Sequence, residues 1–324
     1  MRVVNFFKNI FLILISYVLI CFLVYIVSGF LLINGITPKI KLITEYQRNF
    51  YFYGGLRNIW QSREECIDFD SDLIWIPKKT SCLSKNLEYE ATMTFDDFGR
   101  YSKHPHSTEK GVAVIGDSYA MGWGVEDEET FSALLEKKIK KPVYNLAVSG
   151  YGTTREILRL KKSNLLDKID TIILQYCYND VGENLNFKVS SPEATKEKFN
   201  FMTEVKPISN YTKLRKSIRY SATIPIHIIT KKDKSLDFDG HKKILIDILK
   251  KYPILNDKKI IIFYLNGFDM KFVNFPNGQS KEMKNVYFAD FDANMADGHF
   301  FQIDGHLTPH GHDFVAKEML KILK

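Results

Sequence analysis

Val112-Ala113-Val114-Ile115-Gly116-Asp117-Ser118-Tyr119 decides how this chain is read. Four apolar, mostly β-branched residues have the character of a buried strand. The run stops at Gly116 and a helix-like segment follows. A serine hydroxyl is thereby set at the carboxyl end of a central strand, where open α/β sheets collect their functional loops. Gly-Asp-Ser is also ordinary turn chemistry, because Asp and Ser side chains bond nearby backbone. A nucleophilic serine further requires a base, an orienting group and oxyanion donors.

Outward from this stretch, short apolar runs alternate with amphipathic ones. Strands are predicted at 111–116, 142–148, 171–177, 259–265 and 285–289, and helices near 127–140, 153–167, 240–252 and 309–323. That alternation predicts a three-layer α/β/α, flavodoxin-like fold with a parallel five-stranded sheet covered on both faces. Residues 182–240 interrupt it with Pro192, Pro207, Pro225 and a basic scatter that includes Lys213, Arg215, Lys216, Arg219, Lys231, Lys232 and Lys234. An insertion this long predicts a lid, a substrate wall or a mobile loop. Upstream, residues 72–77 and 90–95 read as short strands in an extension with no long periodic helix.

Ile10 to Ile33 form 24 consecutive uncharged, mostly apolar positions. At 1.5 Å per residue they span about 36 Å, enough to cross a hydrocarbon core of about 30 Å. A cleaved signal peptide has a shorter apolar region and a small-x-small site, neither of which this run shows. The reading is an uncleaved transmembrane helix. The chain then divides into a cytoplasmic stub and anchor at 1–34, an extension at 35–110 and a catalytic domain at 111–324. Arg2 and Lys8 before the span are balanced by Lys39, Lys41 and Arg48 after it, so charge alone barely orients it. Cys66 and Cys82 lie in the polar extension, where either a disulfide or two free thiols fits the sequence. The favoured orientation puts the amino terminus inside and the bulk of the chain outside, on an inner membrane with a periplasmic or extracellular catalytic domain. The net charge of +7 is spread over the chain. With no zinc-finger, helix-turn-helix or RNA-binding signature, nucleic acid is not an expected partner.

Four segments carry the chemistry, each at a strand end or just before a helix: Gly116-Asp117-Ser118-Tyr119, Asn145 through Gly152, Gln175-Tyr176-Cys177-Tyr178-Asn179-Asp180, and Asp304-Gly305-His306-Leu307-Thr308-Pro309. Singly, each has a plainer explanation. Asn179-Asp180 would cap a helix, Gly150 and Gly152 would serve turns, and His306 would be a surface histidine. Together and in this order, they make the chain from about residue 111 to its end resemble the SGNH (GDSL-like) hydrolase family. It departs from the family pattern at Cys177, where a glycine is usual, and at Asp304, which precedes His306 by two positions where three are usual.

The resemblance implies a serine hydrolase in which Ser118 attacks an ester carbonyl, His306 carries the proton and Asp304 holds the imidazole. It implies an oxyanion hole from the backbone N–H groups of Ser118 and Gly150 and the side-chain amide of Asn179. Asp297 is a second candidate for the acid, and His299 a weaker rival to His306. No cofactor is implied. His104, His106, His310 and His312 lack partners at metal-ligand spacing, so no metal site is assigned. Phe95 through Arg100 reads either as a lead-in seen in anchored relatives or as a hairpin turn with an exposed arginine.

The expected activity is that of a membrane-anchored esterase or acyltransferase acting on acyl groups, O-acetyl foremost, of cell-envelope glycans. Two alternatives stand beside it. A lysophospholipase or thioesterase would need an apolar channel walled by Phe187, Phe199, Phe201 and Ile224. A non-catalytic glycan-binding protein would use the same scaffold without its chemistry.

Overall fold

The structure is a computed structural model that describes residues 2–53, 56–100, 110–187, 191–204, 210–230, 235–266, 271–293 and 297–323. His104, His106, Lys231, Lys232 and Lys234 lie outside the described residues.

The apolar amino-terminal run forms one helix, α1 (Arg2–Ile33), whose segment Asn5–Ile33 is long and apolar enough to cross a membrane. A second helix follows, α2 (Lys41–Tyr53), where the sequence reading expected none. The remainder of the extension makes β1 (Ile67–Asp70) and β2 (Ile74–Pro77), an antiparallel pair, and then β3 (Ser81–Lys85), β4 (Glu90–Asp96) and β5 (Gly99–Arg100). Cys66 and Cys82 form a disulfide with their Cα atoms 5.7 Å apart.

The core follows as β6 (Gly111–Ile115), α3 (Ser118–Met121), α4 (Phe131–Ile139), β7 (Val143–Asn145), α5 (Thr153–Lys162) and β8 (Ile169–Gln175). The insertion is mostly helical: α6 (Asp180–Asn186), α7 (Pro192–Thr203) and α8 (Asn210–Thr230), then β9 (Ser235–Asp237). The chain closes with α9 (Phe238–Lys250), β10 (Lys259–Asn266), β11 (Lys271–Val273), β12 (Gly278–Gln279), β13 (Val286–Asp292) and α10 (Pro309–Leu323).

The five expected strands pair in parallel in the order β7-β6-β8-β10-β13, the flavodoxin-like arrangement. Alternation within β6 explains why both faces need cover. Val112 and Val114 pack with Phe131 and Leu135 of α4 and Val315 and Met319 of α10. Ala113 and Ile115 face the opposite layer, with Ile157 of α5 and Leu245 and Leu249 of α9. The sheet does not stop at residue 111, however. β5, β4 and β3 continue it antiparallel beyond β7, and β12 adds to β13, giving nine strands. The extension is thus part of the same sheet.

The β4–β5 hairpin shows the cost of reading turns locally. Its arginine, Arg100, is buried, not exposed. It donates from Nε to Asp127 Oδ1 at 2.8 Å and from its other nitrogens to the carbonyls of Met121, Gly122 and Val125. Arg100 therefore ties the extension to the loop that follows the Ser118 helix.

Candidate active site

Ser118 is the first residue of α3, directly after the β6 turn. Asp117 caps that helix by accepting the Tyr119 N–H at 2.9 Å. Ser118 Oγ lies 2.8 Å from His306 Nε2. The other ring nitrogen, Nδ1, is hydrogen-bonded to Asp304 Oδ1. Asp304 and His306 are only two residues apart, and the backbone explains how both can serve. Gly305 between them has φ +86°, a left-handed conformation open to glycine, and the chain reverses there. The imidazole is flanked by the rings of Trp123, stacked at 5.2 Å, and Tyr119 at 5.1 Å. Tyr119 OH donates to Gly305 O at 3.1 Å, so the helix of the serine also steadies the turn of the histidine.

Asp304 is almost wholly buried, at 4% exposure. Its second oxygen accepts from Tyr51 OH at 2.7 Å, and Arg57 Nε lies 3.6 Å away. Burial by itself would raise the carboxyl. The His306 imidazole, the Arg57 guanidinium and the Tyr51 hydroxyl outweigh it and hold the group at about 2. Burial and the neighbouring Asp304 push the Tyr51 phenol upward, which keeps it a donor. Glu88 completes the mounting by accepting the backbone N–H of Ile303 at 2.9 Å and of Asp304 at 2.7 Å. Asp297 is exposed and its charge acts on His299. His299 itself packs against the rings of His310 and Phe314. The structure therefore brings Asp304 and His306 to Ser118, and neither Asp297 nor His299.

Gly150 and Asn179 line the same cavity as Ser118. A Cβ at Gly150 would meet nothing nearer than 3.4 Å, so crowding does not demand glycine there; its φ of +79° does. Asn179 is exposed at the cavity and its side chain makes no capping bond to α6, which leaves the amide open to a ligand. The two loops are fastened to each other. Thr153 Oγ1 donates to Asp180 Oδ2 at 3.4 Å, Glu183 accepts the Gly152 N–H at 2.9 Å, and Arg155 donates to Gly150 O at 2.6 Å while pairing with Glu183. Asp180 also accepts the Cys177 N–H at 3.1 Å. Beneath them, burial raises the carboxyls of Asp117, Asp180 and Glu156 above their usual range, and their mutual proximity adds to it for the last two.

The cavity has a volume of about 340 Å³. The core supplies Ser118, Gly150, Asn179 and His306, and the extension supplies Phe52, Arg57 and Gln61. The Arg57 guanidinium lies over the rings of Phe52 and Trp123, at 4.9 and 5.3 Å. Gln61 Oε1 accepts from Ser149 Oγ at 3.2 Å. Phe187, Phe199, Phe201 and Ile224 are not among the lining residues. Phe199 packs on Phe69, and Ile224 packs against Tyr25 and Tyr46 near α1, so the apolar channel expected from them does not form. Among the described residues no cluster of His, Cys, Asp and Glu could hold a metal ion.

Sequence reasoning missed Tyr51, Arg57, Gln61 and Glu88. The available signal was the helical spacing of Ile43, Tyr46, Gln47, Phe50 and Tyr51, which marks one face of α2. Nothing in the sequence announced Glu88.

A profile of the GDSL-like lipase/acylhydrolase family matches residues 112–319. The chain belongs to this family. Members of the family are esterases and acylhydrolases, and this chain is a hydrolase of that SGNH type. A carbohydrate esterase family 2 enzyme with its carbohydrate-binding domain, from Corynascus thermopiles (Myceliophthora fergusii), is a distant structural neighbour. It is 11% identical, with a TM-score of 0.33 over 69% of each chain. No curated protein matches the sequence. The matched segment contains Ser118, Asp304 and His306 and begins after Tyr51, Arg57, Gln61 and Glu88.

Proposed function

We propose that this family member is a membrane-anchored serine esterase or acyltransferase. It would act on acyl esters, O-acetyl groups of cell-envelope glycans foremost, through an acyl-Ser118 intermediate. The observation that carries this reading is the continuous contact from Ser118 Oγ to His306 Nε2, at 2.8 Å, and from His306 Nδ1 to Asp304. In the first half-reaction Ser118 Oγ attacks the ester carbonyl carbon as its proton passes to His306 Nε2. Asp304, held anionic, stabilises the imidazolium that forms. The oxyanion is met by the N–H groups of Ser118 and Gly150 and by the Asn179 amide. Collapse breaks the ester C–O bond, and the leaving alcohol takes the proton from His306. Water or a sugar hydroxyl then repeats the sequence on the acyl-serine.

A cavity of about 340 Å³ with Arg57, Gln61 and Asn179 in its lining supports a short acyl group on a polar carrier rather than a long chain. The 29 residues Asn5–Ile33 support an anchor by length and apolarity, and the Cys66–Cys82 disulfide supports an oxidising compartment for the bulk of the chain. Hydrolysis of p-nitrophenyl acetate by the full-length protein in neutral detergent tests the chemistry. Activity in the parent and a loss of about 10⁴-fold or more in Ser118→Ala and His306→Ala are expected. A folded parent no faster than its variants would end the esterase reading.

A further inference from the structure

A second cavity, of about 420 Å³, opens where the chain leaves α1. Lys39, Lys41, Glu45 and Arg48 line one side, and Phe300 and Gln302 the other. Phe300 also lines the cavity of Ser118, so the two spaces share a bordering residue. The wall holds three cationic groups against one carboxylate. Arg48 is engaged, donating from Nε to Gln302 O at 2.8 Å and lying 3.8 Å from Glu45. Lys39 and Lys41 have no ion pair among the described residues.

The surroundings identify the ligand. Lys39 follows the last residue of α1 by six positions. The two lysines alternate with apolar residues left open to the outside: Ile36 at 50%, Ile40 at 55% and Leu42 at 40% exposure. Apolar side chains in that position are matched by an acyl-chain boundary, and lysines beside them by anionic headgroups. We infer that this cavity binds the phosphate headgroup of a membrane lipid with net negative charge, with Lys39 and Lys41 as its principal contacts. The inference takes from the proposed function only the membrane crossing of α1. A lipid phosphate seated there stands beside the catalytic cavity, which gives the site a membrane-held neighbour whatever ester it cleaves.

Lysine labelling tests it on the full-length protein in neutral detergent. Reductive methylation, read by peptide mass spectrometry, is run with dioctanoyl phosphatidic acid, with dioctanoyl phosphatidylcholine and with inorganic phosphate at equal concentration. Phosphatidic acid is expected to protect Lys39 and Lys41 and to leave Lys137 and Lys138 of α4 unchanged. The double variant Lys39→Gln/Lys41→Gln is expected to weaken binding of the same lipid, followed by native mass spectrometry, about 30-fold. Equal protection by phosphatidylcholine, no protection, or undiminished binding in the double variant would overturn the inference. Equal protection by inorganic phosphate would overturn the lipid in favour of a free-phosphate site. Resistance of the protein to carbonate extraction from membranes reports the crossing of α1 separately, so a failed crossing and a failed headgroup site give different results.

Discussion

The two ends of the Ser118–His306–Asp304 arrangement are held in different ways. Ser118 is positioned by its own neighbourhood: a five-residue strand, a capping aspartate one residue before it, and a short helix that begins with it. Asp304 is positioned from far away. Tyr51 is 253 residues distant and Glu88 is 216, and both belong to the extension ahead of the family-matched segment. The nucleophile end is thus a local product of sequence, and the acid end a product of tertiary structure.

Substitutions at the acid end test how far this contrast goes. Asp304→Asn is expected to lower kcat by about 10⁴-fold, while Asp297→Asn leaves the rate of p-nitrophenyl acetate hydrolysis unchanged. Comparable losses in both would mean that the histidine is not oriented by Asp304 alone. At the oxyanion side, Asn179→Ala should cost about 10²–10³-fold in kcat, with KM little changed. A wild-type rate there would remove the amide from the reaction.

Tyr51→Phe takes one charge-assisted hydrogen bond from Asp304 and should lower kcat about 10-fold. It also has a signature in acid. The Asp304 carboxyl sits at about 2 in the folded protein against an ordinary value of 3.8. The stability it contributes is therefore present above about pH 4 and is lost as pH falls toward 2. Tyr51→Phe raises that carboxyl, shrinks the contribution, and should move the acid-unfolding midpoint to higher pH by circular dichroism; an unmoved midpoint counts against the contact. Glu88→Gln, which keeps an acceptor but drops its charge, should be the mildest, about 5-fold in kcat. A loss as large as that of Asp304→Asn would show that the placement of the backbone at residues 303–304 matters as much as the carboxylate it carries.

The same contrast sets what was legible in the sequence. The five core strands could be read because parallel strands buried on both faces are continuous Val/Ile runs, as in Val112–Ile115 and Ile260–Phe263. Ser118, Gly150, Asn179 and His306 could be read because each follows such a run or precedes a helix. α2 was not read. Its face is built from Tyr46, Gln47, Phe50 and Tyr51, aromatic and polar residues that pack on α1 and α8 rather than on the main core. Arg100 read equally as an exposed turn residue because the carbonyls it bonds, at 121, 122 and 125, come together only when α3 is in place. The insertion carried too many prolines to suggest helices, yet α7 begins at one and α8 contains another.

α2 has two attachments along its length. Near its middle, Gln47 donates to Ser28 O and Ile36 O, and Phe50 lies against Tyr25 of α1. At its carboxyl end, Tyr51 reaches Asp304. α2 therefore lies between the apolar helix and Asp304, and a cut in the segment 34–40 would part it from the Ser28 carbonyl and the Tyr25 ring that seat it. Tyr51 and Glu88 would stay with the catalytic part, so such a cut would reach Asp304 only by loosening the seat of α2.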